Sequence, residues 1–463
     1  MTVESTTTNG LKKSVLDSEY KTEYDQNLDL LDENIGYLST LARINLLTNS
    51  NFGGCSNSAG MYSAVDGSVS APGDANEIFS NATFTGDATG WALGTGWAYG
   101  ANNVAGTAAT GAVLQSKTLT KDAIYEIKID VSGYVGGYIR FNAEGVSGSE
   151  VINANGTWSR RFIATGSAGA NTGISVGSAF TGTIDNLTLH EVVPGKKTGG
   201  VPVFDGWRSD TLESYRHRLT DQTKGKGQYA AWIKNSSASE RWLYGPYNYT
   251  EISHLKKYQG RTITFGCFVY TEAGNTAKIV IDDGTTVSYS DVAQTGSLVW
   301  IEKTITVPVG ATALRYGISV TGAIGLNTYI SRPMLILGSK IGTGNYSPGK
   351  NVIHFDKPVT LTNYNATSVS ANAAINLESE SNGKIPRGCK AVKARLTGNP
   401  GAVDTYLMLR AGSAGAEGPR VDAVVAAKNH TDTGWCPCDS DGNIYIERNG
   451  TFATTIVISA VEI

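Results

Sequence analysis

The sequence predicts an all-β protein, made of serial jelly-roll or β-sandwich modules preceded by a short N-terminal coiled-coil helix. The chain has 463 residues, too many for one ordinary hydrophobic core, and 40% of them are hydrophobic, enough for several cores. Its 55 glycines suit turns and bulges better than helix interiors. After residue 45, apolar and polar residues alternate in short runs, which is the period of a half-buried strand.

The segment 20–45 has a different period. Apolar residues recur there at alternating spacings of four and three, with acidic side chains on the outer face, as in a coiled coil. Its seam is formed by Tyr24, Leu28, Leu31, Ile35, Leu38 and Ala42 and ends at Asn45. We expect an oligomerising or anchoring helix behind a short leader. The alternative is an amphipathic helix that lies on a neighbouring domain.

Composition divides the chain into segments. The Gly/Ser-rich stretch before the first module lacks any period, which predicts a connector packed against that module. Residues 193–200 are a linker by composition. The predicted order is a leader and helix at 1–45, a loop-rich connector at 46–76, a first β-sandwich at 77–193, a second at 201–348, a connector at 349–370 and a small C-terminal β-domain, the tip, at 371–463.

Residue patterns that carry catalysis or bind metals are sparse. The five histidines lie in no recognisable motif, and no G-x-S-x-G elbow occurs. Asp282 and Asp283 fall in a Gly-containing turn between two strands, and Cys436 and Cys438 have no second ligand pair nearby. The acidic turn at 439–442 departs from the calcium-loop pattern. We therefore expect a non-enzyme without metal or cofactor. A structural calcium held by scattered loop oxygens stays an open alternative.

Charge and hydropathy argue against other classes. Charged residues make up 17% of the chain, the formal net charge is -3, and no Lys/Arg stripe is present, so nucleic-acid binding has no electrostatic basis. The polar residues 1–10 lack the apolar core of a signal peptide, and no apolar run approaches the ~20 residues that span a bilayer. Five scattered cysteines do not make a disulfide framework. We expect a soluble chain without a classical export signal or membrane insertion.

Aromatic placement is the main indication of a binding surface. Flat rings with a polar tip bind sugar faces at low entropic cost, and Glu240 and Arg241 beside Trp242 can supply directional hydrogen bonds. The alternative is that aromatic side chains fill the sandwich cores, as we expect for Trp91 and Trp207. The candidate ligand-binding residues are Trp232, Arg241, Trp242, Tyr244, Tyr247, Tyr249, Trp97, Tyr99 and Trp435.

Several segments together suggest a family. Thr89-Gly-Trp-Ala-Leu-Gly-Thr-Gly-Trp97 and Phe204-Asp-Gly-Trp-Arg208 open the two larger modules, 180–189 and 335–348 close them, and 45–52 reads as a module lead-in. With the helix at 24–35, these segments resemble phage tail-fibre or receptor-binding proteins that carry carbohydrate-binding-module-like jelly rolls. The resemblance covers about residues 20–350 and leaves the third module unplaced. It implies a homotrimer joined through its N-terminus to other virion proteins, assembled in the host cytoplasm and acting outside the cell.

These observations favour a virion fibre that adheres to host-surface polysaccharide without cutting it. One alternative is a purely structural virion component, such as a collar, head fibre or decoration protein, whose modules are spacers. Others are a glycan depolymerase or cell-wall hydrolase, and a bacterial adhesin. The absence of a catalytic motif argues against an enzyme. The aromatic groups favour binding over a spacer role.

Overall fold

The computed structural model describes residues 3–5, 12–14, 45–64, 77–197, 201–210, 212–219, 222–246, 249–349 and 352–463. The predicted coiled-coil seam and the candidate ligand residue Tyr247 lie outside these ranges. Within them the chain is almost entirely β, with two one-turn helices, Ile252–Leu255 and Leu377–Glu380. No helix in the described ranges is long and apolar enough to cross a membrane.

The strands fall into three successive groups along the chain. Before the first sandwich come β1 (Val3–Ser5), β2 (Lys12–Ser14) and β3 (Gly60–Ser63). The first sandwich comprises β4 (Ala92–Leu93), β5 (Trp97–Tyr99), β6 (Val104–Ala109), β7 (Val113–Lys117), β8 (Ile124–Ala143), β9 (Val146–Ser147), β10 (Gly156–Ile163) and β11 (Ala170–Lys196).

The second sandwich comprises β12 (Arg208–Ser209), β13 (Glu213–Arg218), β14 (Tyr229–Lys234), β15 (Arg241–Gly245), β16 (Thr262–Thr271), β17 (Asn275–Asp282), β18 (Val287–Tyr289), β19 (Val299–Thr306), β20 (Arg315–Gly322) and β21 (Asn327–Leu337). The C-terminal sandwich comprises β22 (Val352–Thr360), β23 (Thr367–Val369), β24 (Ala373–Ile375), β25 (Ala391–Pro400), β26 (Thr405–Arg410), β27 (Glu417–Ala423), β28 (His430–Pro437), β29 (Ile444–Arg448) and β30 (Phe452–Glu462).

The first sandwich is organised by two long antiparallel strands, β8 and β11. They pair along most of their length, and their register shifts mark irregularities where a strand bends. β10 flanks β8, while β6 and β7 flank successive parts of β11. Phe141, Phe180 and Ile127 lie fully buried in the core that results.

The second sandwich packs two sheets face to face. The larger sheet has the order β11-β13-β14-β21-β16-β19, and the smaller has the order β12-β15-β20-β17-β18. Alternation along each strand sends every second side chain into the core between them, where Phe265, Ile279 and Ile318 lie buried.

The lead-in segment 45–64 packs against the first sandwich, where Met61 contacts Ile124 and Val192, and it also contributes to the core of the second. Leu47, Phe52 and Cys55 lie in the second core, and the Leu46 amide donates to the Leu335 carbonyl at 2.9 Å. The first sandwich is therefore inserted into the second. Phe52 has a φ of 56°, so it lies in an irregular turn and not in a strand. Strand period in the sequence therefore could not predict its burial.

The predicted linker 193–200 also differs from the structure. Its first residues extend β11 and pair on one side with β3, through Val193 and Tyr62, and on the other with β13, through Gly195 and Tyr215. One strand thus passes from the first sandwich into the large sheet of the second. The Pro-Gly composition predicted a linker, but residues 193–196 use their backbone hydrogen-bonding groups to pair with neighbouring strands.

The C-terminal sandwich begins earlier than predicted. Much of the supposed connector 349–370 forms β22, which pairs with β30 and places Ile353 and Phe355 in the core. Two sheets enclose that core, β22-β30-β25-β28 and β24-β29-β26-β27. One face of β22 is exposed, so polar and apolar residues are mixed along the strand. Without knowledge of its partner strand, this sequence pattern resembles that of a connector.

Buried charges join the second and third sandwiches. Arg216 of β13 donates to the Gly53 carbonyl at 2.7 Å and to the Glu378 carboxylate at 3.2 Å. Arg218 donates to the same carboxylate, also at 3.2 Å. Arg216 and Glu378 are almost fully buried, so removing either one would leave an uncompensated buried charge on the other.

Candidate functional site

The smaller sheet of the second sandwich presents a polar and aromatic face away from the core. Along β15, Leu243 points inward, while Trp242 and Tyr244 point to the opposite side. The same alternation places Ser319 and Lys278 beside Trp242. We call this surface the outer face; it is formed by β12, β15, β20, β17 and β18.

Strand register assembles the outer face in rows. One row runs from Trp242 through Ser319 to Lys278 across three neighbouring strands. The next row crosses all five strands and consists of Arg208, Tyr244, Gly317, Val280 and Tyr289. These residues are distant in sequence but directly adjacent across the ladder.

Gly317 leaves the middle of the longer row without a side chain. A Cβ at this position would lie 2.1 Å from the Leu243 carbonyl oxygen and 2.6 Å from the Tyr244 Cα. Neither neighbour can move without disturbing β15, so any larger residue is excluded. The row therefore has no side chain between Tyr244 and Val280, both of which are buried.

Arg315 is the electrostatic centre of the aromatic group. Its guanidinium carbon lies 5.0 Å from the ring centroid of Trp242, 5.5 Å from that of Tyr244 and 5.1 Å from that of Tyr249. Its Nε donates to Asp282 Oδ2 at 2.9 Å. Burial opposes the charged form, but the ion pair with Asp282 and contact with Tyr244 raise the pKa of Arg315. The guanidinium thus stays charged and holds three rings in place.

Glu240 links the aromatic group to the far side of the face. Its Oε1 accepts hydrogen bonds from Trp242 Nε1 at 3.1 Å and from Ser319 Oγ. Partial burial works against ionisation, but these bonds and one from Tyr289 hold the pKa of Glu240 below its usual value. Burial and the bond to Glu240 raise the pKa of Tyr289 to about 12. Near neutral pH the carboxylate is ionised and the phenol is protonated.

Further charged groups border the outer face. Lys278 Nζ lies 4.3 Å from the ring centroid of Tyr289, and Arg208 lies 5.9 Å from that of Tyr249. Burial raises the pKa of Asp210, while Arg315 and neighbouring arginines act against that shift. The face thus combines ring planes, donors and acceptors within one surface, the combination that binds polyhydroxylated ligands through stacking and directional hydrogen bonds.

The structure brings together three of the predicted ligand residues, Trp242, Tyr244 and Tyr249; Trp242 and Tyr249 are partly exposed, whereas Tyr244 is 6% exposed and supports their rings from within the face. The Tyr249 ring packs edge-on against Tyr244, with centroids 5.9 Å apart. Arg241 alternates to the other side of β15 and contacts the Ser237 hydroxyl and the Glu240 carbonyl. It therefore flanks this group rather than joining it.

Trp232 is a core residue, which corrects its prediction as a ligand contact. It is 0% exposed, and its ring lies between Tyr215 and Tyr329, at centroid distances of 4.7 Å and 6.1 Å. Its Nε1 donates to Asn327 Oδ1 at 2.8 Å, so the polar tip is satisfied inside the protein. Aromatic side chains opposite one another on adjacent strands pack together, and that pairing buries the indole.

Trp97 is likewise structural, whereas the other two candidates outside the second sandwich are exposed. Trp97 is 8% exposed, stacks on Phe180 and donates from Nε1 to the Gly111 carbonyl at 2.7 Å. Tyr99 is 39% exposed and Trp435 is 41% exposed. Tyr99 lies on the first sandwich and Trp435 on the third, so neither is part of the outer face.

Sequence reasoning missed several residues of the face, among them Arg315, Lys278 and Tyr289. Alternation in β17 marks Lys278 as facing away from the core, and this signal was available. That β20 lies between β15 and β17 is not visible locally, so nothing connected Arg315 with Trp242. Among the described residues, no group of three or more His, Cys, Asp or Glu side chains could hold a metal ion.

Comparisons with known proteins find structural neighbours only. No protein-family model matches the sequence, and no curated protein matches it. A tandem CBM22 domain of Paenibacillus barcinonensis Xyn10C is 12% identical, covers 61% of this chain and 100% of its own, and has a TM-score of 0.22. The module TmCBM61, solved with β-1,4-galactotriose, is 17% identical, covers 28% of this chain and 88% of its own, and has a TM-score of 0.23.

A bacteriophage protein is also among the neighbours. The enzymatically active domain of tailspike protein 4 from bacteriophage CBA120 is 13% identical, covers 29% of this chain and 19% of its own, and has a TM-score of 0.21. The structural neighbours are thus carbohydrate-binding modules and a tailspike domain. At identities and TM-scores this low, function has to be argued from the residues of the site.

Proposed function

We propose that this chain is a phage virion fibre protein that adheres to host-surface glycans without cleaving them, through the outer face of its second sandwich. The observation that carries the proposal is the placement of Trp242, Tyr244 and Tyr249 around Arg315. Hydrogen-bonding groups for sugar hydroxyls border these rings. Sugar C–H faces stack on aromatic planes, and charged groups fixed at the rim orient the ring.

The fibre part of the proposal rests on the chain's organisation. A heptad seam at 24–42 precedes serial β-modules, and the resemblance to tail-fibre proteins covers most of the chain. Single sugar contacts are weak, and linking several copies raises the effective concentration of binding faces without any new contact. We therefore propose a homotrimer whose N-terminal part joins other virion proteins and whose sandwiches reach the host surface.

Affinity gel electrophoresis of the full-length protein tests glycan binding. The gels would contain capsular polysaccharide, lipopolysaccharide O-chain or wall polysaccharide from candidate hosts. We expect at least one polymer to retard the protein. Trp242→Ala and Lys278→Ala should lose most of that retardation, because each removes a group of the outer face.

Trp158→Ala is the matched control. Trp158 is a half-buried tryptophan on β10 of the first sandwich, remote from the proposed face. Its replacement should leave retardation unchanged. Retardation that survives both outer-face substitutions would reject this face as the binding site. Reducing ends released from a bound polymer would show that the chain is an enzyme.

Light scattering tests the assembly separately. The full-length protein should have three times the chain mass, and Leu31→Asp combined with Ile35→Asp should reduce it to one chain, because charges on the seam oppose helix association. A wild-type monomer would contradict the trimer but not the glycan site. The two parts of the proposal can therefore fail independently.

A further inference from the structure

The C-terminal sandwich holds two thiols in contact. Cys389 Sγ and Cys438 Sγ are 3.8 Å apart, and both side chains are free thiols. Cys389 lies two residues before the start of β25, and Cys438 immediately follows β28. The proposed glycan site lies in another sandwich and uses neither residue.

The backbone around this pair is fixed by strand pairing. β25 and β28 are antiparallel neighbours, and their ladder reaches Ala391 opposite Pro437. One step further, the Cys438 amide donates to the Lys390 carbonyl at 2.7 Å. The two cysteines thus lie on adjacent segments of the same chain, at the end of the ladder between β25 and β28. Cys438 lies opposite Lys390, so Cys389 is its diagonal neighbour, and the 3.8 Å contact between the two Sγ atoms shows that the side chains already meet from these positions.

The other cysteines are less suited to pairing. Cys436 is fully buried in the core, where a Cβ on Gly418 would lie 2.7 Å from the Cys436 Cβ, so its surroundings are closely packed. Cys55 and Cys267 lie in the core of the second sandwich. Cys438 is the one partly exposed cysteine of the five.

We propose that Cys389 and Cys438 form a disulfide bond when the protein meets a low-molecular-weight disulfide such as oxidised glutathione. The Cys438 thiolate attacks one glutathione sulfur, forming a mixed disulfide and releasing one glutathione thiolate. The Cys389 thiolate then attacks the Cys438 sulfur and releases the second. Two cysteine thiols are oxidised, one glutathione disulfide is reduced to two thiols, and the two cysteine protons pass to the released thiolates.

Exposure decides the order of these two steps. Cys438 is partly open to solvent and can meet the reagent, whereas Cys389 is buried with its Sγ in contact with Cys438. Contact with Cys389 and burial both raise the pKa of Cys438. Because the thiolate is the attacking species, oxidation is slow near neutral pH and accelerates as the pH rises.

The bond would close a loop that contains β25, β26, β27 and β28. It would tie the start of β25 to the turn between β28 and β29, where Cys389 Sγ already lies 3.7 Å from the Gly442 carbonyl. A crosslink of this kind restricts the unfolded chain and stabilises the native domain. The oxidised C-terminal sandwich should therefore resist unfolding and proteolysis better than the reduced one.

Mass spectrometry of the full-length protein tests the proposal. The reduced protein is desalted, incubated with oxidised glutathione at mildly alkaline pH, and alkylated without reduction. The intact mass measured before alkylation should fall by two hydrogen atoms, and a tryptic digest of the alkylated protein should contain residues 388–390 joined to residues 429–448. Cys436→Ser should retain this crosslink, whereas Cys389→Ser and Cys438→Ser should each lose it.

Unchanged mass, or glutathione adducts that never resolve, would overturn the proposal. So would a crosslink that persists in Cys438→Ser, because Cys436 would then be the partner. If a serine variant at Cys389 or Cys438 fails to fold, the wild type and Cys436→Ser still decide the question. In Cys436→Ser the peptide 429–448 contains a single cysteine, which identifies the bond directly.

Discussion

The guanidinium of Arg315 lies over the indole of Trp242, with 5.0 Å between the guanidinium carbon and the ring centroid. These residues are on neighbouring strands of the smaller sheet and come from segments far apart in the chain. The contact fixes the orientation of a half-exposed aromatic ring.

Trp242→Ala should weaken glycan binding about tenfold or more, equivalent to ~1.4 kcal/mol or more, because it removes the central ring of the outer face. Isothermal titration calorimetry with the polymer that retards the wild type measures this change. Trp435→Ala removes an exposed tryptophan of the third sandwich and should leave affinity unchanged. Weaker binding in Trp435→Ala, with unchanged binding in Trp242→Ala, would place the binding site on the C-terminal sandwich.

Arg315→Ala should destabilise the second sandwich by about 1–3 kcal/mol, because Asp282 is buried and would lose its cationic partner. Arg315→Lys should recover part of this loss but not the binding, since an ammonium group lacks the planar surface that contacts three rings. Urea denaturation measures the stability. Combining Arg315→Ala with Asp282→Asn should cost less than the sum of the single changes; strict additivity would show that the pair is not coupled.

Phe52→Ala should destabilise the second sandwich by about 3–5 kcal/mol, even though the entire first sandwich separates Phe52 from most of that core in sequence. Its ring lies 4.8 Å from Phe204 and 5.2 Å from Trp207. Thermal unfolding monitored by intrinsic fluorescence measures this loss of stability. Tyr99→Ala, at an exposed position, is the control and should have little effect.

A fragment spanning 201–348 alone should fail to unfold cooperatively, because it lacks the buried residues contributed by 45–64. Adding the lead-in in trans as a peptide, or fusing it through a short linker in place of the first sandwich, should restore a cooperative transition. A fragment that unfolds cooperatively without it would contradict the nested arrangement.

Asp205 should make the stability of the second sandwich pH-dependent. Burial raises the pKa of Asp205 from 3.8 to about 6, although hydrogen bonds from Ser56 and from the Asp356 amide favour the carboxylate, and the Asp356 charge adds to the rise. The native state therefore binds the proton more tightly than the unfolded state. The resulting stability is fully present below the unfolded pKa and is lost as the pH rises through the folded value.

The size of this effect is about 3 kcal/mol, from the shift between the two pKa values. Urea midpoints measured across that pH range for wild type and Asp205→Asn test it. The asparagine variant should gain on the wild type as the pH rises, because it has no proton to lose. A constant difference between the two proteins would show that Asp205 titrates normally.

Much of the local structure could be predicted from the sequence. Asp283 accepts hydrogen bonds from the Thr285 and Thr286 amides, as expected of a turn residue. Trp91 and Trp207 are buried, as predicted from their positions near the module starts. These features depend on neighbours close in the chain, so composition and period are sufficient to find them.

The candidate site could be predicted only in part. The sequence marked Trp242, Tyr244 and Tyr249, because they are concentrated in one short segment. It also marked Trp232, which lies in the same aromatic-rich part of the sequence. In the structure, Trp232 packs between Tyr215 and Tyr329 of the larger sheet. Alternation shows that a strand has two faces, yet it does not show which neighbours cover each face.

The sequence by itself determined the all-β class, the modular order and the aromatic segment that became part of the outer face, because strand period and turn chemistry are local properties. Only the tertiary structure decided that the first sandwich is inserted into the second, that the apparent linker continues as β11, and that Arg315, Lys278 and Tyr289 meet Trp242 on one sheet. Those relationships depend on which strands pair and in what register. Pairing is settled by contacts across many tens of residues, and no sequence window contains both partners.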